Sequence, residues 1–119
     1  MEPSKNYVRR CLAQADETLK DAEMLLSHDR LRSAADRAYY AVYHAAQALL
    51  YSKGLKPKTH SGLQRMFDEH VVKTGLISEE LGVTLADAFK LRQKSDYDVE
   101  AVITKELVDD IIKRARQFV

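Results

Sequence analysis

The chain has 119 residues, enough for one hydrophobic core without disulfide or metal staples and too short for two ordinary domains, so a single domain over 1–119 is expected. Nineteen lysines and arginines against eighteen aspartates and glutamates leave a formal charge of +1, which excludes a global field that draws in nucleic acid or an anionic membrane. The single cysteine, Cys11, excludes an internal disulfide framework, fits a reducing compartment and is expected to be packed on an apolar helix face.

Apolar residues recur every three or four positions at Val8, Cys11, Leu12, Ala15, Leu19, Ala22, Leu25 and Leu26, which predicts an amphipathic helix over 4–27. The charges at Lys5, Arg9 and Arg10 are not followed by the apolar block of a signal peptide, and no segment has the length of a membrane span. The chain therefore reads as soluble and cytoplasmic. His28 and Asp29 interrupt the pattern, and a second helix is predicted over 31–53, ended by Gly54. So short a join predicts an antiparallel hairpin. Residues 55–58 form a connector, after which Thr59 caps a third helix carrying Leu63, Met66, Phe67, Val71 and Val72, with Gly75 as its stop. Ser78, with Glu79, Glu80 and Leu81 behind it, starts a fourth helix through Leu85, Ala88, Phe89 and Leu91. Residues 95–98, Ser-Asp-Tyr-Asp, read as a turn. Leu107, Val108, Ile111, Ile112, Ala115 and Phe118 then predict a last helix over 104–119. Met24 and Met66 fall at apolar helical positions and are expected in the core. The β-branched residues do not alternate, so no strand is predicted. The expected fold is all-α, an up-and-down bundle of four to five helices.

The second helix has an unusual composition. Its alanines favour helix and allow close approach of another backbone, yet Arg37, Tyr40 and His44 stand among them. At 100° per residue Ser33, Arg37, Tyr40, His44, Gln47 and Tyr51 form one polar stripe, in which Arg37 and His44 are two turns, about 10 Å, apart. A histidine near neutrality moves protons and an arginine holds a phosphate or the charge of a phosphorane, the two roles needed when a ribose 2′-hydroxyl attacks its own phosphate without a metal. The same residues also fit a structural reading, with Arg37 paired to a carboxylate from another helix and His44 in a core network.

Two further clusters stand out. Arg92, Lys94, Asp96 and Tyr97 lie together, with Tyr97 either stacking on a base or packed under the turn. Lys58 and His60, with Lys56 and Thr59, sit at the start of the third helix, as a phosphate site or as a solvated connector with a capping threonine. There is no Walker loop, dinucleotide glycine fingerprint or zinc spacing, and the four histidines are dispersed, so neither a metal site nor a cofactor is expected.

The string DRAYYAVYHAAQALL, then Gly54, KTH at 58–60, VKTGLI at 72–77 and LRQKSDYD at 91–98, resembles the small stand-alone HEPN-domain proteins of bacteria and archaea. The resemblance covers nearly the whole chain. It implies a HEPN-like helical bundle, commonly a homodimer, encoded beside a minimal nucleotidyltransferase as a toxin–antitoxin pair. It further implies metal-independent endoribonuclease chemistry, carried by an arginine, four to six residues, then a histidine. Arg37 to His44 has that spacing, with Tyr40 between as an orienting group. In well-marked members the motif lies late in the chain, where this sequence has Arg92 and Tyr97 and no histidine. The expected function is thus a toxin-like protein that binds RNA or nucleotide and cleaves RNA. Catalysis would rest on Arg37, His44 and Tyr40, and binding on Arg92, Lys94, Asp96, Tyr97, Lys58 and His60. The alternative is a non-catalytic dimeric interaction or nucleotide-binding module.

Overall fold

Ten residues of the second helix are buried, seven of them alanines, and every other helix packs against it. Alanine both favours the helix and keeps its surface thin enough for neighbouring backbones to approach from several sides. The computed structural model describes residues 5–75, 79–98 and 102–118. Around the central helix α2 (Leu31–Ser52) stand α1 (Lys5–Ser27), α3 (His60–Phe67), α4 (Glu79–Tyr97) and α5 (Lys105–Phe118), with no strand among the described residues. Four helices are long and one is short, as expected.

The hairpin of α1 and α2 is antiparallel. The rings of Tyr7 and Tyr51 lie 4.4 Å apart at its open end, and buried Cys11 places its Sγ 3.9 Å from Gln47. At the closed end the Arg30 and Asp29 N–H groups donate to the carbonyls of Leu25 and Leu26, the paired bonds that finish a helix around one left-handed residue. Asp29 itself takes that position, with φ 57°, where glycine is usual. Gly54, φ 77°, ends α2 in the same manner.

Thr59 caps α3 by accepting from the Gly62 N–H at 2.9 Å. The helix does not run on regularly to Val72: residues Asp68–Val72 widen into one π-helical turn before Gly75, φ 77°, stops the chain direction. The expected start of the fourth helix at Ser78 lies outside the described residues.

The turn expected over 95–98 is corrected: α4 continues through Tyr97. Its turn-forming residues are satisfied within the helix, because Ser95 is buried and donates to the Leu91 carbonyl, while Asp96 pairs with Arg92 one turn earlier. Arg32 of α2 then caps the end, its Nη1 donating to the carbonyls of Ser95 at 2.6 Å and Asp98 at 3.2 Å. Thr104 receives the Leu107 N–H at the start of α5. Met24 is exposed rather than in the core, as are Leu12 and Leu107, since each lies at the margin of an apolar stripe wider than the face its helix buries. Met66 is partly buried against the core. No described helix is long and apolar enough to cross a membrane.

Candidate functional site

The alanines of α2 turn inward and leave its polar stripe facing out: Ser33 is exposed, while Arg37, Tyr40, His44, Gln47 and Tyr51 are partly buried. What completes this face comes from α4. Asp36 accepts from Arg37 at 2.8 Å through one carboxylate oxygen and from the Arg92 Nε at 3.4 Å through the other. One carboxylate thus ties two guanidinium groups from different helices. Arg92 is held a second time by Asp96, at 3.0 Å.

Both arginines also lie against Tyr40, with their guanidinium carbons 5.2 and 5.4 Å from its ring centre. Arg92 is 5.7 Å from the Tyr39 ring and 5.9 Å from that of Tyr97, which is 75% exposed. Burial alone would loosen the proton on Arg92, but Tyr40, Asp36, Asp96 and Tyr97 more than reverse this, so it stays charged. His44 packs against Tyr40 and Tyr43. Burial pushes its pKa down, neighbouring Gln47 partly opposes this, and the Arg37 charge pushes the same way as burial. A neutral imidazole therefore stands two turns from a guanidinium.

Behind this row is an aromatic cluster. Tyr39 is fully buried, and its hydroxyl lies 2.6 Å from the Nδ1 of His60. His60 also packs on Tyr40, Tyr43 and Phe89. Burial raises the Tyr39 pKa; it lowers that of His60, with the Arg92 charge adding to the effect.

Seven of the nine candidate residues therefore gather: Arg37, Tyr40, His44, Arg92, Asp96, Tyr97 and His60. Two separate sequence clusters are one place in the fold, and His60 joins them from the third. Lys94 and Lys58 are exposed and join no ion pair among the described residues. The expected partner for Arg37 is also corrected: its carboxylate is the adjacent Asp36, not one from another helix. Asp36, Tyr39, Tyr43 and Phe89 were not singled out in the sequence. The available signal was that Asp36 and Tyr40 are one turn apart on the stripe's flank.

Among the described residues no three histidine, cysteine, aspartate or glutamate side chains come together as a metal site needs. A cleft of about 600 Å³ lined by Glu79, Glu80, Thr84, Arg114 and Gln117 shares no residue with the site.

Comparison with known proteins adds an independent finding. A HEPN domain model matches residues 8–119. A protein of Methanocaldococcus jannaschii named "Putative toxin" is 40% identical over 115 residues, 97% of this chain and 85% of its own. A "UPF0332 protein" of Thermotoga maritima is 40% identical over 112 residues, 94% of this chain and 83% of its own. A second M. jannaschii protein, also named "Putative toxin", is 30% identical over 114 residues, 96% and 78% of the two chains.

Proposed function

This chain belongs to the HEPN family, and we propose that it is a toxin-type, metal-independent endoribonuclease whose active face joins α2 to α4. The observation that carries this reading is the convergence of Arg37 and Arg92 on Asp36 beside Tyr40 and His44. His44, neutral because burial lowers its pKa, takes the proton from a ribose 2′-hydroxyl. The 2′-oxygen attacks the adjacent phosphorus, and Arg37 and Arg92 hold the charge that builds on the phosphoryl oxygens. The bond to the 5′-oxygen breaks, and that oxygen takes up a proton from water. The products carry a 2′,3′-cyclic phosphate and a 5′-hydroxyl. Tyr40 sets the spacing of the two arginines, and Tyr97 offers an exposed ring for a base.

The test is incubation of the purified protein with mixed RNA in the presence of a chelator. Cleavage to cyclic-phosphate ends is expected, with 2′-deoxy substrate uncut and His44→Ala slower by about a hundredfold or more. Intact RNA, or an unchanged His44→Ala rate, refutes it. Expression of the chain alone should arrest growth and degrade RNA, and the variant should not. A homodimer and a minimal nucleotidyltransferase partner complete this reading; sedimentation and co-purification test them.

A second reading is favoured by one feature, the neutralisation of both arginines by Asp36 and Asp96. Under it the chain is a non-catalytic dimeric module that binds RNA or nucleotide. Binding without cleavage, unaffected by His44→Ala, is its signature.

A further inference from the structure

Tyr39 and His60 form a pair that the cleavage scheme leaves unused. Tyr39 has no exposed surface, and its hydroxyl has one hydrogen-bond partner among the described residues, the His60 Nδ1 at 2.6 Å. A buried hydroxyl whose hydrogen finds no acceptor carries the cost of desolvation with nothing in return. The hydroxyl hydrogen therefore goes to Nδ1, which must then be the bare, accepting nitrogen, and the imidazole proton resides on Nε2.

The position of Nε2 follows from a second observation. No buried side-chain nitrogen or oxygen among the described residues lacks a hydrogen-bond partner, and Nε2 has no partner there. It follows that Nε2 is not sealed inside the core, in keeping with the partial exposure of His60. The ring bearing Nε2 and the Arg92 side chain both contact Tyr39 and Tyr40: His60 lies 5.6 and 5.9 Å from those ring centres, and the Arg92 guanidinium carbon 5.7 and 5.4 Å. Arg92 commits its Nε to Asp36 and Asp96, while its two Nη groups make no hydrogen bond among the described residues. A solvent-accessible N–H and a guanidinium with open donors thus border the same pair of tyrosine rings. That combination suits a phosphate, whose oxygens take a hydrogen bond from each.

We propose that His60 is a phosphate-binding donor, locked by Tyr39 in the tautomer that carries its proton on Nε2 and offering that proton beside Arg92 to the same ligand. This rests on the reading of the face as a phosphodiester site and assigns His60 a binding role distinct from the proton-accepting role of His44. The lock matters because an unconstrained imidazole shares its proton between two nitrogens, and only one of them faces out here. Tyr39 is thereby a positioning residue that acts through His60.

The test uses the full chain with ¹⁵N-labelled histidine, read by long-range ¹H–¹⁵N correlation at a pH where the ring is neutral. His60 is expected to show a protonated Nε2 and a bare Nδ1, and Tyr39→Phe is expected to give a mixture of tautomers. Uridine 3′-monophosphate should shift the His60 Nε2 signal. His60→Leu should weaken that ligand about tenfold, the worth of one hydrogen bond to a charged group, and His60→Gln should restore most of the affinity with its amide N–H. A proton found on Nδ1 in the wild type overturns the proposal without need of any variant. So does absence of binding, or binding by folded His60→Leu equal to wild type. Failure of the ribonuclease reading is separable: a chain that binds through His60 yet leaves RNA intact loses that reading alone, and one that cuts RNA with Nδ1 protonated loses only this one.

Discussion

Asp36→Asn should weaken the fold and strengthen ligand binding, opposite signs from one oxygen-to-nitrogen exchange. The carboxylate bridges Arg37, whose side chain is 38% exposed, and Arg92, which is only 15% exposed; Asp36 itself is 24% exposed. An exposed ion pair is worth at most about 1 kcal/mol, whereas stranding a fully buried partner costs about 3–5 kcal/mol. Arg37 belongs near the first limit. Arg92 lies between them and keeps Asp96 at 3.0 Å, so the expected loss is about 1–2 kcal/mol. Meanwhile the local charge of Arg37, Arg92, Asp36 and Asp96 changes from zero to +1. A unit charge at contact distance is worth about 1 kcal/mol in water and about 4 kcal/mol near a protein surface, so affinity for an RNA backbone should rise about tenfold with a steeper salt dependence. Urea denaturation followed by circular dichroism measures the first effect. Anisotropy of a labelled, 2′-O-methylated RNA at fixed ionic strength measures the second. Unchanged stability together with unchanged or reduced affinity would refute the bridging role of Asp36.

Stability should also depend on pH through His44 and His60, whose pKa values burial holds below the ordinary 6.5. The unfolded chain then binds more protons as pH falls through that value, so stability is full above it and declines below it until the folded-state values are passed; the urea midpoint should fall between about pH 7 and pH 5, and less so in a His44→Asn, His60→Asn double variant. Asp29→Gly relieves a left-handed backbone at the α1–α2 turn and removes an exposed pair with Lys105, so a net gain of about 0.5–1 kcal/mol is expected, seen as a higher melting temperature. Tyr97→Ala should leave the melting temperature nearly unchanged because the ring is exposed, yet weaken single-stranded RNA by about fivefold or more if the ring stacks on a base. A melting temperature that drops by several degrees would show that Tyr97 is structural instead.

Much of the helical framework is legible in the three-and-four spacing of apolar residues, and three helix boundaries in Thr59, Gly54 and Gly75. The hairpin follows from the short join after α1. The polar stripe of α2 is equally legible, since it needs only the helical period. What periodicity does not supply is the register between helices. Arg92 meets Asp36 across 56 positions because α2 and α4 pack at one particular height, a property of shape that no local pattern encodes. His60 was legible as a candidate, but its pairing with Tyr39 was not, because that depends on where the connector returns α3 to the bundle. The error at 95–98 has the opposite origin. Serine and aspartate favour turns in isolation, but here the Ser95 hydroxyl donates to the Leu91 carbonyl and Asp96 pairs with Arg92 a turn away, so both are satisfied inside the helix.

Arg37, Tyr40 and His44 hang from one rod whose pitch fixes their separation, while Arg92 hangs from another. Heating or loosening the bundle cannot easily change spacings along a single helix, but it lets α4 slide against α2 by fractions of an ångström. The seven buried alanines have no rotamers with which to take up that slip. Under the proposed ribonuclease reading, function should accordingly fade before helicity does: a temperature window is expected in which circular dichroism still reports the full fold but the two guanidinium groups are no longer in register for one phosphate. A chain whose activity is cut by such slight misalignment can be switched by anything that grips α2 and α4 together, without covering the site.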